Sequence, residues 1–270
     1  DAIHQTPCAT SAPLWNDGAN HVMFDITDPS RDTRSSYSNS YAMEAATSQH
    51  TCYYRSGYDL SIGHFPKVVF PDLQATTPSD RKYLLTFRGT LYLNMHGFEE
   101  RASIVQLHDD SRGIVVAEKC CTHCFKIWPK SRADVMQAYI EYCAQSREKY
   151  ESYDFEDLMN TTFGLVPAGA SPGTHRLPEV MSAGVIPVII ARDWVLPFAE
   201  VVDWPTFSFM FSPDQVPDIL RILEAVPPET LKEMQAKSLE AYWKIYHGAT
   251  DYSWIAQLTI KTLSERLGSH

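Results

Sequence analysis

The chain has 270 residues, 44% of them hydrophobic and 21% charged, the composition of a folded globular protein rather than a disordered one. Its 23 Lys and Arg against 33 Asp and Glu give a formal net charge of −10, which argues against a nucleic-acid binder held by a basic face and leaves room for a local basic pocket. No apolar run approaches the ~20 residues of a membrane span, and the start of the chain carries no signal-peptide pattern.

Residues 1–80 read as strands and loops rich in Ser, Thr and Tyr, a partial α/β lobe. "HVMFDI" and "YDLSIG" alternate apolar and polar residues as strands do, and "YAMEAATSQ" between them predicts a short helix. "FPDLQATTPSDRK" has the prolines and turn-formers of a linker. From Lys82 the pattern becomes regular. "KYLLTFRG" predicts a buried strand ending in a glycine turn at Arg88, "GFEERASIVQLHDD" an amphipathic helix that carries Arg101, and "GIVVAEK" the next strand. A long helix over "SRADVMQAYIEYCAQSREKYE", a short one over "YDFEDLMN" and a strand over "TTFGLVP" follow. Next come the helix of "GTHRLPEVMSAG", the strand "VIPVII" and three closing helices. Strands alternating with helices predict a Rossmann-like α/β unit with a parallel sheet over 81–270, its ligands at the carboxyl ends of the strands.

Six cysteines are present, and "CCTHC" invites a zinc reading, but no second ligand pair stands at suitable spacing. The sequon "NTT" at Asn160 and the cysteines together fit an oxidising, secretory compartment, with Cys143 expected to pair with one of Cys120, Cys121 or Cys124. The chain begins at Asp1 rather than Met, which is expected of a fragment or a processed form.

The chemistry is expected at the front of the "THRLPEVM" helix. A pyrophosphate needs backbone N–H groups, which Gly173 and Thr174 offer, and a forked cation, which Arg176 offers. Glu179, three residues on and on the same face, suits a pair of ribose hydroxyls. Arg88, at the end of a strand, and Arg101, in the helix after it, are two further arginines of interest at the ligand-binding end of the sheet. The same residues also have ordinary readings: an intrahelical ion pair, a glycine turn, a strand-edge charge and a solvated helix face. "GASPG" is neither G-x-G-x-x-G nor a P-loop, and no G-x-S-x-G occurs, which disfavours NAD, ATP and serine-hydrolase chemistry.

"FGLVPAG", "GTHRLPEVMSAGVIPVII" and "WVLPFAEVVDW", with "LLTFRGTLY" upstream and "LWNDGANHVMFDI" near the start, resemble the exostosin family, glycosyltransferase family 47, over nearly the whole chain. The resemblance implies a GT-B-like fold with a C-terminal donor lobe, a partial N-terminal acceptor lobe over 1–80, and final helices that pack back on the N-lobe. It also implies an inverting hexosyl- or glucuronosyltransferase of the Golgi lumen, anchored upstream, acting on a UDP-sugar and a glycan acceptor. In that role Arg176 would neutralise the diphosphate with Arg88 and Arg101 as candidates for further diphosphate contacts, Glu179 would bind the ribose, and no metal would be required. A base from the N-lobe is expected, Asp59 first, with His21 and His64 as rivals. Two departures stand out: the turn after "LVP" lacks the arginines of the exostosins proper, and less N-lobe precedes "LWNDG" than family members usually carry. The first weakens a heparan-type donor more than it weakens activity. With Asp1 as the true start the acceptor lobe would be incomplete, and the two together would suit the alternative, a non-catalytic subunit that stabilises or localises an active homologue, as a homo- or hetero-dimer.

Overall fold

A computed structural model describes residues 13–26, 41–92, 96–121, 133–246 and 253–268. Two parallel sheets organise it. The smaller has the order β1–β2–β3, from strands β1 (Val22–Asp25), β2 (Met43–Ala46) and β3 (Leu60–Ser61). The "YAMEAATSQ" segment is therefore a strand and not a helix. Its Ala and Met favour helix as isolated residues, but Ala45 and Ala46 are small enough to lie buried between two parallel neighbours, and pairing overrides propensity.

The larger sheet contains β4 (Tyr83–Leu91), β5 (Ile114–Cys120), β6 (Thr161–Pro167), β7 (Ile186–Ile190) and β8 (Phe209–Phe211), in the order β5–β4–β6–β7–β8 and all parallel. β8 was not expected from the sequence; its three residues, half covered, are too short to show a period. β4 also runs on through Gly89 to Leu91, so Arg88 lies within the strand and the expected glycine turn is absent. The seven helices among the described residues are α1 (Phe98–Ile104), α2 (Ala133–Ser152), α3 (Phe155–Leu158), α4 (Arg176–Ser182), α5 (Ile219–Glu224), α6 (Pro228–Tyr246) and α7 (Ser253–Gly268). α1 to α4 fall between the strands of the larger sheet, as parallel connections demand.

Side chains alternate across this sheet. Phe163, Leu165, Ile186, Val188 and Ile190 join Leu85 and Phe87 in a core with Ile104 of α1 and Ile219 and Leu223 of α5. Val166 and Ile189 point the other way, into a core with Leu177, Val180 and Met181 of α4 and Tyr242 and Ile245 of α6. Ala45, Leu60 and Ile62 of the smaller sheet and Trp254 of α7 belong to that same core, which therefore runs through both sheets. α7 returns to the smaller sheet, where Arg266 donates to the backbone oxygens of Tyr58 (2.9 Å) and Asp59 (2.8 Å) and pairs with Glu200. The segment read as a linker is tied down as well. Phe70 is buried, Gln74 donates to the Ser182 oxygen at 2.9 Å, and the buried Arg81 donates to the Leu73 and Ala183 oxygens.

A disulfide joins Cys120 at the end of β5 to Cys143 in α2. Cys52 and Cys121 are free, while Cys8 and Cys124 lie outside the described residues. No helix among the described residues is long and apolar enough to cross a membrane.

Candidate functional site

The strand order of the larger sheet reverses between β4 and β6, since the chain leaves β4 for β5 and returns on the far side. At such a reversal the following loops diverge and leave a crevice at the carboxyl ends of the strands. A cleft of about 370 Å³ lies there, lined from β4 by Phe87, Arg88 and Thr90, from β5 by Lys119, from α1 by Arg101 and from α4 by Arg176 and Glu179. Lys67, Thr174 and His175 add to the wall, with Tyr92, Tyr150 and Phe155 among the rest.

Five cations thus converge on one cleft of an acidic chain, and aromatic faces brace four of them. The Arg88 guanidinium stacks at 3.8 Å over the Tyr150 ring, and Lys119 Nζ approaches the same ring at 5.1 Å. Arg101 lies 4.6 Å over Tyr92, and Arg176 lies 4.3 Å over Phe155. An aromatic brace holds a cation in place without cancelling its charge as a carboxylate would. Backbone carbonyls complete the aim. Arg101 donates to the Ala168 oxygen at 2.8 Å and the Thr90 oxygen at 2.6 Å, and Arg176 Nη2 donates to the Arg88 oxygen at 2.6 Å.

Arg176 is the centre of the site. Its Nε and Nη1 are buried and make no hydrogen bond, so part of its fork is unspent. Burial pushes the guanidinium down to about 10, with Glu179 opposing the shift. Leaving such donors unpaired is costly, and an anion that accepts from them recovers that cost. Glu179 lies 3.6 Å from Arg176 Nε. Burial raises its carboxyl, while Arg176 and a backbone hydrogen bond from Lys67 pull the other way. Glu118 of β5 is buried near Arg101, its carboxyl pushed up to about 8 by desolvation against the pull of that cation. A carboxyl held mostly neutral near pH 7 does not cancel the charge of the cation beside it.

The structure thus brings Arg88, Arg101, Thr174, Arg176 and Glu179 to one cleft. Gly173 is placed elsewhere. A side chain there would lie 2.7 Å from His64 Nε2, Ser48 Oγ and the Thr47 oxygen, so this glycine lets the turn approach the carboxyl end of β2 closely. Asn160 is half-buried at the entry to β6, where its side-chain oxygen accepts the Lys82 N–H at 3.3 Å.

The expected bases are corrected. Asp59 is 1% exposed, and its carboxylate accepts from the Glu44 and Arg55 backbone N–H groups and from Arg55 Nε and Nη2. It stands before β3, at the end of the sheet away from the contact with Gly173, and it holds Arg55 instead of facing the cleft. His21 likewise precedes β1 and bonds the Ala19 oxygen at 2.8 Å. His64 is at the correct end but buried, sharing a 2.9 Å hydrogen bond with Ser48, which in turn bonds Ser171 at 2.8 Å. Burial, with His175 and Lys67 nearby, pushes His64 down to about 3.

A prediction follows from that shift. The folded protein keeps His64 neutral down to about pH 3, whereas the unfolded chain protonates near the ordinary value of 6.5. Its contribution to stability is complete above 6.5 and is lost as pH falls toward 3. Between pH 7 and 5 the wild type is expected to lose about 2 kcal/mol more than His64→Gln, measured by urea unfolding at both pH values. Equal losses would show that His64 does not set the acid sensitivity.

Sequence reasoning missed Lys67, Lys119, His175 and the bracing aromatics. One signal was available: Lys119 ends "GIVVAEK", the segment read as the strand after that of Arg88. Among the described residues, no group of three or more His, Cys, Asp or Glu side chains is placed to hold a metal ion.

The family model of the exostosin GT47 domain matches residues 5–226. The chain belongs to the exostosin GT47 family. Exostosin-1 of Drosophila melanogaster is 32% identical over 271 residues, covering 94% of this exostosin-family chain and 33% of that protein. Exostosin-1c of Danio rerio is 29% identical, covering 96% and 35%. The chain thus spans about a third of the length of the curated relatives it matches. Among solved structures it is similar to Anabaena HepE in complex with UDP and glucose, with a TM-score of 0.48 and 13% identity over 90% of this chain and 70% of that one. It is also similar to a UDP-forming trehalose-phosphate synthase of Burkholderia vietnamiensis, with a TM-score of 0.40 and 12% identity over 78% and 54%.

Proposed function

We propose that the chain is a glycosyltransferase of GT-B type that binds a UDP-sugar in the cleft between β4 and β6 and transfers the sugar, with inversion, to a glycan acceptor. The observation that carries the reading is the convergence of Lys67, Arg88, Arg101, Lys119 and Arg176 beside one buried carboxylate, at the reversal of a parallel sheet, in a chain of net charge −10. A diphosphate matches the cations, and the hydroxyls of a ribose match Glu179. As UDP departs it gains negative charge, and fixed cations stabilise that charge more than they stabilise the ground state. These cations take the place a metal ion would otherwise fill, so no metal is required. Glucuronic acid is the donor to test first, because Lys67 on the cleft wall offers an acidic sugar a counter-charge. The Cys120–Cys143 disulfide fits an oxidising lumen such as the Golgi.

The test is a calorimetric titration of UDP, and then of UDP-sugars, in buffer containing EDTA. Micromolar UDP binding in EDTA supports the site and its independence from metal. A folded protein that binds no UDP would sink the reading, and the non-catalytic partner would then be the better account.

A further inference from the structure

With Asp59, His21 and His64 placed elsewhere, the proposed reaction lacks a base, and the cleft itself supplies one candidate. Its described titratable lining comprises the cations, the tyrosines Tyr92 and Tyr150, Glu179 and His175. Glu179 is tied to Arg176 and to the Lys67 backbone N–H. His175 is the residue immediately before α4 and is only partly buried. Its Nδ1 lies 2.7 Å from the Phe65 oxygen. A carbonyl can only accept, so the proton of this hydrogen bond belongs to Nδ1. In the neutral ring Nε2 then carries a bare lone pair. The ring is held in place as well as in tautomer: His64 packs against it at 4.8 Å between centroids, at a 53° tilt. Phe65 and His64 follow β3, so His175 stands where the acceptor-side half of the protein meets the donor cleft. The charged groups around it are Lys67, from the same segment as Phe65, and Arg176 and Glu179 of α4.

We propose that His175 is the general base of the transfer, an inference that rests on the donor-site reading above. As the acceptor hydroxyl oxygen bonds to the anomeric carbon, its proton passes to His175 Nε2. The bond from that carbon to the diphosphate oxygen breaks, and its electron pair leaves with UDP. The imidazolium formed keeps its Nδ1–H on Phe65 and later returns the extra proton to solvent. This arrangement supplies what a base requires: a defined tautomer, a fixed ring and a position on the cleft wall.

The test separates binding from turnover. His175→Asn retains an N–H able to reach the Phe65 oxygen but has no basic nitrogen. For this variant the Kd for UDP is expected to stay within twofold of wild type. Release of UDP from the best-binding UDP-sugar, with water as acceptor, should fall at least a hundredfold in kcat with little change in KM. A second variant, His175→Gly, opens a cavity, and added imidazole should restore part of its kcat. Four results would overturn the inference. One is His175→Asn keeping kcat within threefold, and another is the same variant losing UDP affinity tenfold with kcat intact, which marks a phosphate contact. A third is a folded His175→Gly variant that imidazole does not rescue. The last is a wild type that binds UDP and turns over no UDP-sugar. A wild type that binds no UDP is a different failure, that of the donor site itself.

Discussion

Replacing Arg176 with alanine is expected to weaken UDP binding at least tenfold, a loss of about 1.4 kcal/mol or more. The reason lies in what Arg176 leaves unpaired. Its Nη2 is spent on the Arg88 oxygen, but its Nε and Nη1 are buried without acceptors. A diphosphate that accepts from them gains two charge-assisted hydrogen bonds and relieves the strain of buried, unpaired donors. Alanine removes this gain and also leaves Glu179 without the cation 3.6 Å away. Arg176→Lys should recover little, because an ammonium is a point charge and cannot reproduce the fork while also reaching the Arg88 oxygen. Calorimetry on wild type and both variants, each shown to be folded by its melting curve, gives the answer. Alanine binding UDP within twofold of wild type would place the diphosphate elsewhere.

A second large effect is expected at a glycine that does not itself line the cleft. Gly97 precedes α1 in the left-handed region, at φ 77°, and a Cβ there would lie 2.2 Å from the Gly169 oxygen and 2.4 Å from the Ala168 oxygen. Both are backbone atoms of the turn that leads to α4, so they cannot swing aside as a flexible side chain would. The same Ala168 oxygen accepts from Arg101, and the Gly97 oxygen accepts the Arg101 backbone N–H. Gly97→Ala should therefore cost roughly 3 kcal/mol from backbone strain and overpacking together. It should also shift the helix that carries Arg101 and weaken UDP binding. Urea unfolding with a UDP titration checks both. A loss under about 1 kcal/mol would mean that the contact between α1 and the 168–169 turn relaxes without cost.

The sequence reads well where local pattern and spatial role coincide. "TTFGLVP", the Arg176–Glu179 helix and "VIPVII" are one strand–helix–strand unit whose helix starts at the cleft. Three-residue spacing on α4 was therefore enough to put two site residues side by side. The failures have a common cause. A strand's period shows which side chains share a face but not which end meets the neighbouring sheet. Asp59 was thus expected at a cleft that lies beyond the other end of its strand. "GASPG" looks like a phosphate turn because glycine permits close approach, yet what approaches Gly173 is Thr47, Ser48 and His64, more than a hundred residues earlier. His175 carries no signal in one dimension at all. Its meaning comes from the Phe65 carbonyl and the His64 ring, which only the fold brings to it.

The most direct test of the donor site is a crystal structure with UDP bound. The diphosphate oxygens should lie within hydrogen-bonding distance of Arg176 Nε or Nη1, with Arg101 and Lys119 alongside and the ribose hydroxyls on the Glu179 carboxylate. UDP seated away from the cleft between β4 and β6, for instance in the apolar depression formed by Leu196, Val202 and Trp204, would contradict the account at its root.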